Sequence, residues 1–290
     1  MALLKWINRH PKDVAVLSGV FTAAFCLWRV FSQGLAGLFH PVNLLVLPLP
    51  IILVALSLKG EAALIETALE NCDPEPLLER SRHTLRTQDG RSDRSRRARF
   101  TALSNQMVAL HAMGRFAEAD DAARRLEASV SAVSPDIRLT FFLNLCSLRV
   151  DQQRMEEADA CLAEVEALLA QASLQDMPPA GRFSLESNRL SLRTSFDTPE
   201  DVLASLLDLL ERHRRDTLRT QVVAHYNVAL TLLLLNRKAE ALPYLRFVAD
   251  NGGKLWQKPW AEAQLATPNT DPNTDPERAA KRPRDQSNKR

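Results

Sequence analysis

Glycine is scarce, nine residues in 290, and none of the nine stands in a G-x-G-x-x-G or G-x-x-x-x-G-K-S/T arrangement. A backbone loop that cradles phosphate or a dinucleotide is therefore excluded. The six histidines (His10, His40, His83, His111, His213 and His225) never fall at ligand spacing with one another or with cysteine. A zinc motif is excluded on that ground. The four cysteines, Cys26, Cys72, Cys146 and Cys161, include no C-x-x-C pair, and no Asn-x-Ser/Thr sequon occurs. Both absences fit a reducing compartment without a disulfide framework. No G-x-S-x-G elbow is present. His213-Arg214-Arg215-Asp216 has the letters of a kinase catalytic loop, but no glycine-rich loop or Asp-Phe-Gly accompanies it. It reads instead as a helix end with basic residues near the last carbonyls. Net charge is only +2, without the concentrated basic surface that phosphate backbones require. The expectation is a protein with no catalytic residues, no cofactor, no metal and no nucleic-acid partner.

Charge is also missing from one long region. Between Asp13 and Lys59 the only formally charged residue is Arg29. Residues 14–31 have the length to cross a hydrocarbon core of roughly 30 Å as a helix, with Trp28 and Arg29 suited to the interface. A second apolar stretch, 35–58, contains Pro41, Pro48 and Pro50. Its part from 41 to 58 reads as a second, kinked span. A signal peptide is the alternative, since Lys5, Arg9 and Lys12 precede the first run, but no small-residue cleavage site follows. With basic residues before the first span and after the second, both ends are expected on the cytoplasmic side of the cell membrane.

Residues 60–97 read as a helical, Arg-rich connector or degenerate cap repeat, with Asp73-Pro74 as cap and first turn. Arg80, Arg82, Arg86, Arg91, Arg94, Arg96, Arg97 and Arg99 crowd this segment, diluted by Glu79, Asp89 and Asp93. Two readings stand side by side: a contact with anionic lipid, or a topology signal on a solvated helix face.

From residue 98 the chain repeats. Asn105, Asn144, Asn188 and Asn227 are each followed thirteen residues later by an acid and fourteen later by a small or branched apolar residue. The pairs are Glu118-Ala119, Glu157-Ala158, Asp201-Val202 and Glu240-Ala241. Apolar residues keep a helical period on either side of a short break, as in Leu103, Met107, Leu110 and then Ala119, Ala122, Leu126. Each unit is thus expected to be two antiparallel amphipathic helices, with the small residue placed where they cross closely.

The units NQMVALHAMGRFAEADDAARRL, NLCSLRVDQQRMEEADACLAEV and HYNVALTLLLLNRKAEALPYLRFV resemble tetratricopeptide repeats over residues 98–265. The unit around Asp197 to Val202 departs from that pattern, and closing prolines are mostly absent. The resemblance implies a right-handed α-solenoid whose first helices line a groove for a peptide or partner helix. It also implies that Asn105, Asn144, Asn188 and Asn227 reach into that groove, although bonds between neighbouring helices are an equal reading of them. The places where an acid-binding groove carries basic residues hold Ser104, Val108, Ser184 and Asn188, so capture of an acidic C-terminus is not expected. Further inward-facing candidates are Thr101, Ser104, His111, Thr140, Leu143, Ser147, Ser187, Ser191, Tyr226 and Leu230, polar at one end and apolar near Tyr226.

At the far end, Asn251-Gly252-Gly253 closes a helix, and a capping helix with Trp256 and Trp260 runs to Leu265. Residues 266–290, rich in Pro, Asn, Asp and Lys/Arg, read as a disordered tail. The expected architecture is all-α: an N-terminal two-helix transmembrane hairpin (1–59), the connector, four helix pairs and the tail. The expected function is a membrane-anchored scaffold that binds a protein or peptide, with a permanent structural subunit of a membrane complex as the alternative.

Overall fold

The computed structural model describes residues 63, 65–88, 90–171, 177, 179–196 and 199–267. The chain divides into two units, Met1–Leu69 and Glu70–Arg290. The two expected spans, and the tail beyond residue 267, lie outside the described residues. Among the described residues no helix is long and apolar enough to cross a membrane.

The second unit is all-helical among its described residues. Ten α-helices follow one another: α1 Glu75–Thr87, α2 Asp93–Ala112, α3 Phe116–Glu127, α4 Pro135–Asp151, α5 Met155–Gln171, α6 Pro179–Phe196, α7 Pro199–Arg212, α8 Leu218–Leu234, α9 Lys238–Asn251 and α10 Gln257–Ala266. A single 3-10 turn, Val130–Ala132, separates α3 from α4. Local chemistry accounts for the starts. Ser92 accepts from the Ser95 amide at 3.1 Å at the head of α2, and Thr217 from the Thr220 amide at 3.4 Å at the head of α8. Pro135 opens α4, where a missing N–H costs nothing. Helix α2 therefore begins five residues before residue 98, where the repeats are expected to start, because Ser92 is the capping residue.

α2 packs on α3, α4 on α5, α6 on α7 and α8 on α9, which are the four expected hairpins, and α1 packs on α2. The residue after each periodic acid sits at the crossing: Ala119, Ala158, Val202 and Ala241 are each 0% exposed. Three of the hairpin turns share one construction. Gly114, Gln153 and Asn236 take positive φ (+72°, +59° and +57°). The following arginine amide then bonds back into the first helix, Arg115 to Leu110, Arg154 to Arg149 and Arg237 to Leu232, at 2.8–2.9 Å. The same arginine pairs with the periodic acid three residues on: Arg115 with Glu118, Arg154 with Glu157 and Arg237 with Glu240, all at 2.6–2.7 Å. The repeated acid thus anchors the first turn of each second helix.

Neighbouring pairs are tied by buried charge as well as by apolar packing. Arg149 on α4, 4% exposed, pairs with Asp120 on α3, which also accepts from Arg154 at 2.9 Å, and Arg149 lies 3.1 Å from Glu157. Within the Arg-rich segment, Arg99 donates to the carbonyls of Leu85 (3.0 Å) and Gln88 (2.7 Å), satisfying the end of α1. Arg96 pairs with Asp93 on its own helix. Arg99 at least serves the fold, whereas the Arg96 pair is exposed on the helix surface.

The unit closes on itself. After α9, the segment 252–256 crosses to the start of the unit: the Lys254 amide bonds the Cys72 carbonyl and the Trp256 amide bonds the Ala112 carbonyl, both at 2.9 Å. Trp256 packs edge-on against Phe116 at 5.5 Å and Tyr226 at 5.1 Å. Cys72 and Ala112 accordingly share one apolar cluster with Val228, Leu245 and Leu255. Two glycines allow this approach. A Cβ on Gly114 would stand 2.7 Å from the Trp256 Cβ, and one on Gly253 2.7 Å from the Cys72 carbonyl oxygen.

Burial pushes the Cys146 thiol up to about 12 and those of Cys72 and Cys161 up to about 11, with the Arg219 guanidinium drawing Cys72 part of the way back. The thiolate is the reactive form. Iodoacetamide at pH 8, read by peptide mass spectrometry, is expected to leave all three unmodified in the native protein and to label them after denaturation. Native labelling of any of them would overturn this account of the core.

Candidate binding pocket

The first helices of the first three pairs line a pocket of about 780 Å³, to which Leu168 and Leu169 of α5 and Arg219 of α8 also contribute. α2 presents Thr101, Ser104, Asn105, Val108 and His111, spaced three or four residues apart and so on one face. α4 presents Thr140, Leu143, Asn144 and Ser147 on the same principle, and α6 contributes Ser184 beside Gly181. The floor is apolar: Leu143, Leu169 and Met177 form a separate buried cluster with Val165 and Leu185. Eight of the residues expected to face a groove, Thr101, Ser104, Asn105, His111, Thr140, Leu143, Asn144 and Ser147, thus line one cavity.

The four periodic asparagines divide into two kinds. Asn188, 5% exposed, donates to the Leu143 carbonyl at 3.1 Å and accepts from the Ser147 hydroxyl at 3.0 Å, joining α6 to α4. Asn227 donates to the Ser187 hydroxyl at 2.8 Å, joining α8 to α6. Among the described residues, Asn105 and Asn144 make no side-chain hydrogen bond, and both amides line the pocket. A primary amide carries two donors and an acceptor, so this pair can read the backbone of an extended segment.

The other candidates also separate. His111 Nε2 lies 2.7 Å from Asp151 Oδ2, linking the ends of α2 and α4. The Thr140 hydroxyl donates to the Asp136 carbonyl at 3.0 Å. Tyr226 is only 8% exposed, held edge-on between Trp256 and Trp260 at 5.1 and 4.7 Å, and Leu230 packs on the same cluster. The apolar end of the expected groove is therefore covered by the chain's own segment 255–260. Burial raises the Tyr226 phenol above its ordinary value.

Arg219 escaped the sequence reading, in which it was one basic residue among many at a helix start. In the fold it lines the pocket and makes no hydrogen bond or ion pair with any described residue. Burial lowers its pKa from the ordinary arginine value, with the Cys72 thiol acting the other way. Asp136, also in the pocket lining, is held below the usual carboxylate range, first by the Ser134 hydroxyl.

Fold and site together define an all-helical unit of repeated helix pairs around a mainly apolar pocket edged by polar side chains of α2 and α4. No protein-family model, curated protein or solved structure matches the chain.

Proposed function

We propose that this chain is a membrane-anchored interaction scaffold whose repeat unit, a tetratricopeptide-like solenoid, binds a peptide or partner helix of another protein. The reading is carried by the amides of Asn105 and Asn144, which bond no described residue, on two adjacent first helices beside a buried apolar cluster. Pockets that bind extended segments combine such a cluster with a few polar groups that fix orientation. Support for the anchor comes from residues 14–58, where Arg29 is the single formal charge. Positive-inside charge places the repeats on the cytoplasmic face in this proposal. Among the described residues only Leu207 and Leu234 are large exposed hydrophobics, which does not favour a permanent structural subunit.

The test separates the two kinds of asparagine. Crosslinking capture from native membranes is expected to recover a partner with the wild type and to lose it with Asn105→Ala/Asn144→Ala, whose thermal stability stays within about 0.5 kcal/mol of the parent. Asn188→Ala is expected to cost about 2 kcal/mol, because it strips a buried hydrogen bond between α6 and α4. A partner retained by the double variant sinks the groove reading.

A further inference from the structure

Arginines elsewhere in the unit are balanced by acids. Arg115, Arg154 and Arg237 each pair with the acid three residues on, and Arg212 pairs with both Glu186 and Asp208. The corner where α1 turns into α2 departs from that rule. Residues 79–99 hold eight arginines and no lysine against three acids, in a chain whose net charge is +2. Arg99 bonds the end of α1 and Arg96 pairs with Asp93. Arg82, Arg86, Arg94 and Arg97 make no hydrogen bond or ion pair with any described residue, and the last three are exposed. Glu79 stands a turn before Arg82 on α1, and Asp136 feels the charge of Arg97 behind its nearer Ser134 hydroxyl. The turn itself is fixed: the Gly90 amide donates to the Ser95 hydroxyl at 2.8 Å, Ser92 caps α2, and α1 packs on α2. Arg86 in the last turn of α1 is thereby held at the same end of the hairpin as Arg94 and Arg97 in the first two turns of α2.

This arrangement works against the fold. Arg82 and Arg86 stand four residues apart and Arg94 and Arg97 three, spacings at which like charges repel on a helix. Arg94 and Arg97 also lie at the positive end of the α2 dipole, where anions are favoured and cations are not. A unit that neutralises its other arginines leaves these four for an anionic surface outside itself. Resting on the reading of residues 14–58 as a membrane anchor, we propose that the α1–α2 corner docks on an anionic lipid surface, with Arg82, Arg86, Arg94 and Arg97 against the headgroups. Lipid phosphates and carboxylates accept from guanidinium forks in paired bonds, and each basic residue that reaches such a surface strengthens binding about fivefold. Nucleic acid offers the same phosphates, but no Phe, Trp or Tyr interleaves the arginines between 79 and 99 to stack on bases. The apolar stretch that precedes the corner in the chain favours the lipid.

The experiment places one fluorophore at the exposed end of α1, on the full chain carrying Thr87→Cys and Cys26→Ser, the other three cysteines being buried. The protein is reconstituted into phosphatidylcholine vesicles with or without phosphatidylserine, all containing the same fraction of headgroup spin-labelled lipid as quencher. At about 0.1 M salt, quenching is expected to be at least about twofold stronger on the anionic vesicles. That excess is expected to vanish at about 1 M salt, where the Debye length falls to about 3 Å. Arg82→Gln, Arg86→Gln, Arg94→Gln and Arg97→Gln together are expected to abolish it, whereas the fourfold Arg→Lys variant, which keeps the charge, retains most of it. The fourfold Arg→Gln variant is further expected to melt at or above the wild-type temperature, since it relieves repulsion. A marked drop would show that these side chains are structural and would overturn the inference. Equal quenching on neutral and anionic vesicles, or quenching unchanged by Arg→Gln, overturns it as well. Arginine-dependent retention of single-stranded RNA without excess quenching on anionic vesicles would assign the corner to nucleic acid, with the same consequence. Flotation with neutral vesicles in about 1 M salt tests the anchor separately, because charge is screened there. If it persists, the anchor reading stands whatever the corner does. If it is lost while arginine-dependent flotation with anionic vesicles remains, the anchor reading fails and the docking surface stands.

Discussion

Trp256→Ala is expected to destabilise the repeat unit by about 3 kcal/mol, the largest loss predicted for a single side chain here. Its indole joins two ends of the unit that are remote in sequence, with Phe116 at 5.5 Å on one side and Tyr226 at 5.1 Å on the other. Truncation empties the space between them, and the surrounding helices have little freedom to collapse into it, because α3 and α8 are fixed by their own hairpin partners. The informative control is Trp256→Phe. The indole Nε1 is buried without a partner among the described residues, so phenylalanine keeps most of the ring contact and discards an unsatisfied donor. We expect it to fall within about 1 kcal/mol of the wild type. Denaturation in urea, followed by far-UV circular dichroism, measures both. If Trp256→Ala unfolds at the wild-type midpoint, the closing segment contributes nothing to the unit. Should Trp256→Phe be as damaging as alanine, the indole N–H has a partner after all.

How far this architecture could be read from the chain depended on whether the signal was local. The hairpins were legible because the acid and small residue recur at fixed distances from Asn105, Asn144, Asn188 and Asn227. Those distances encode the turn and crossing within a single pair, and Ala119, Ala158, Val202 and Ala241 are buried as that predicts. A companion signal was present and missed: Arg115, Arg154 and Arg237 stand ten residues after three of the asparagines and hold the acids in place. Letters alone could not separate the asparagines by role. Asn105 and Asn144 face a cavity while Asn188 and Asn227 bridge to the preceding first helix, a difference set by how the pairs stack. Nor could the closure be read, since the contacts of Trp256 with Ala112 and of Lys254 with Cys72 join segments with no pattern in common. Tyr226 shows the consequence. Its place on a first helix marked it as a groove residue, and the returning segment makes it core.

The second large effect is expected at Asp120, where charge rather than apolar volume binds two pairs together. Arg149 is 4% exposed, and its guanidinium is met by Asp120, with Glu157 at 3.1 Å and Gln152 at 2.9 Å completing the set. Burial alone would raise the Asp120 carboxyl. The hydrogen bonds and charges of Arg149 and Arg154 more than offset that, and its pKa is held below the ordinary value. Asp120→Ala leaves the buried arginine with only its remaining partners, and a loss of about 2–3 kcal/mol follows, below the full cost of an orphaned charge because Glu157 stays. Asp120→Asn keeps the shape and one acceptor, and should lose less. The pH dependence provides an independent check on the cause. A carboxyl whose folded pKa is depressed stabilises the fold at pH values above its unfolded pKa, about 3.9, and that contribution disappears as pH falls through the folded value. The gap between wild type and Asp120→Ala should therefore be constant from neutral pH down to about pH 5 and narrow below about pH 4. A gap that persists unchanged into strong acid would mean that the packing of Asp120, and not its charge, holds α3 against α4. Replacing the whole constellation, Arg149→Met with Asp120→Leu, is expected to recover most of the loss, because an apolar pair avoids the desolvation that the ion pair must overcome. Recovery would mark the network as a device that fixes how these two pairs meet, while failure to recover would assign it a net stabilising part in the fold.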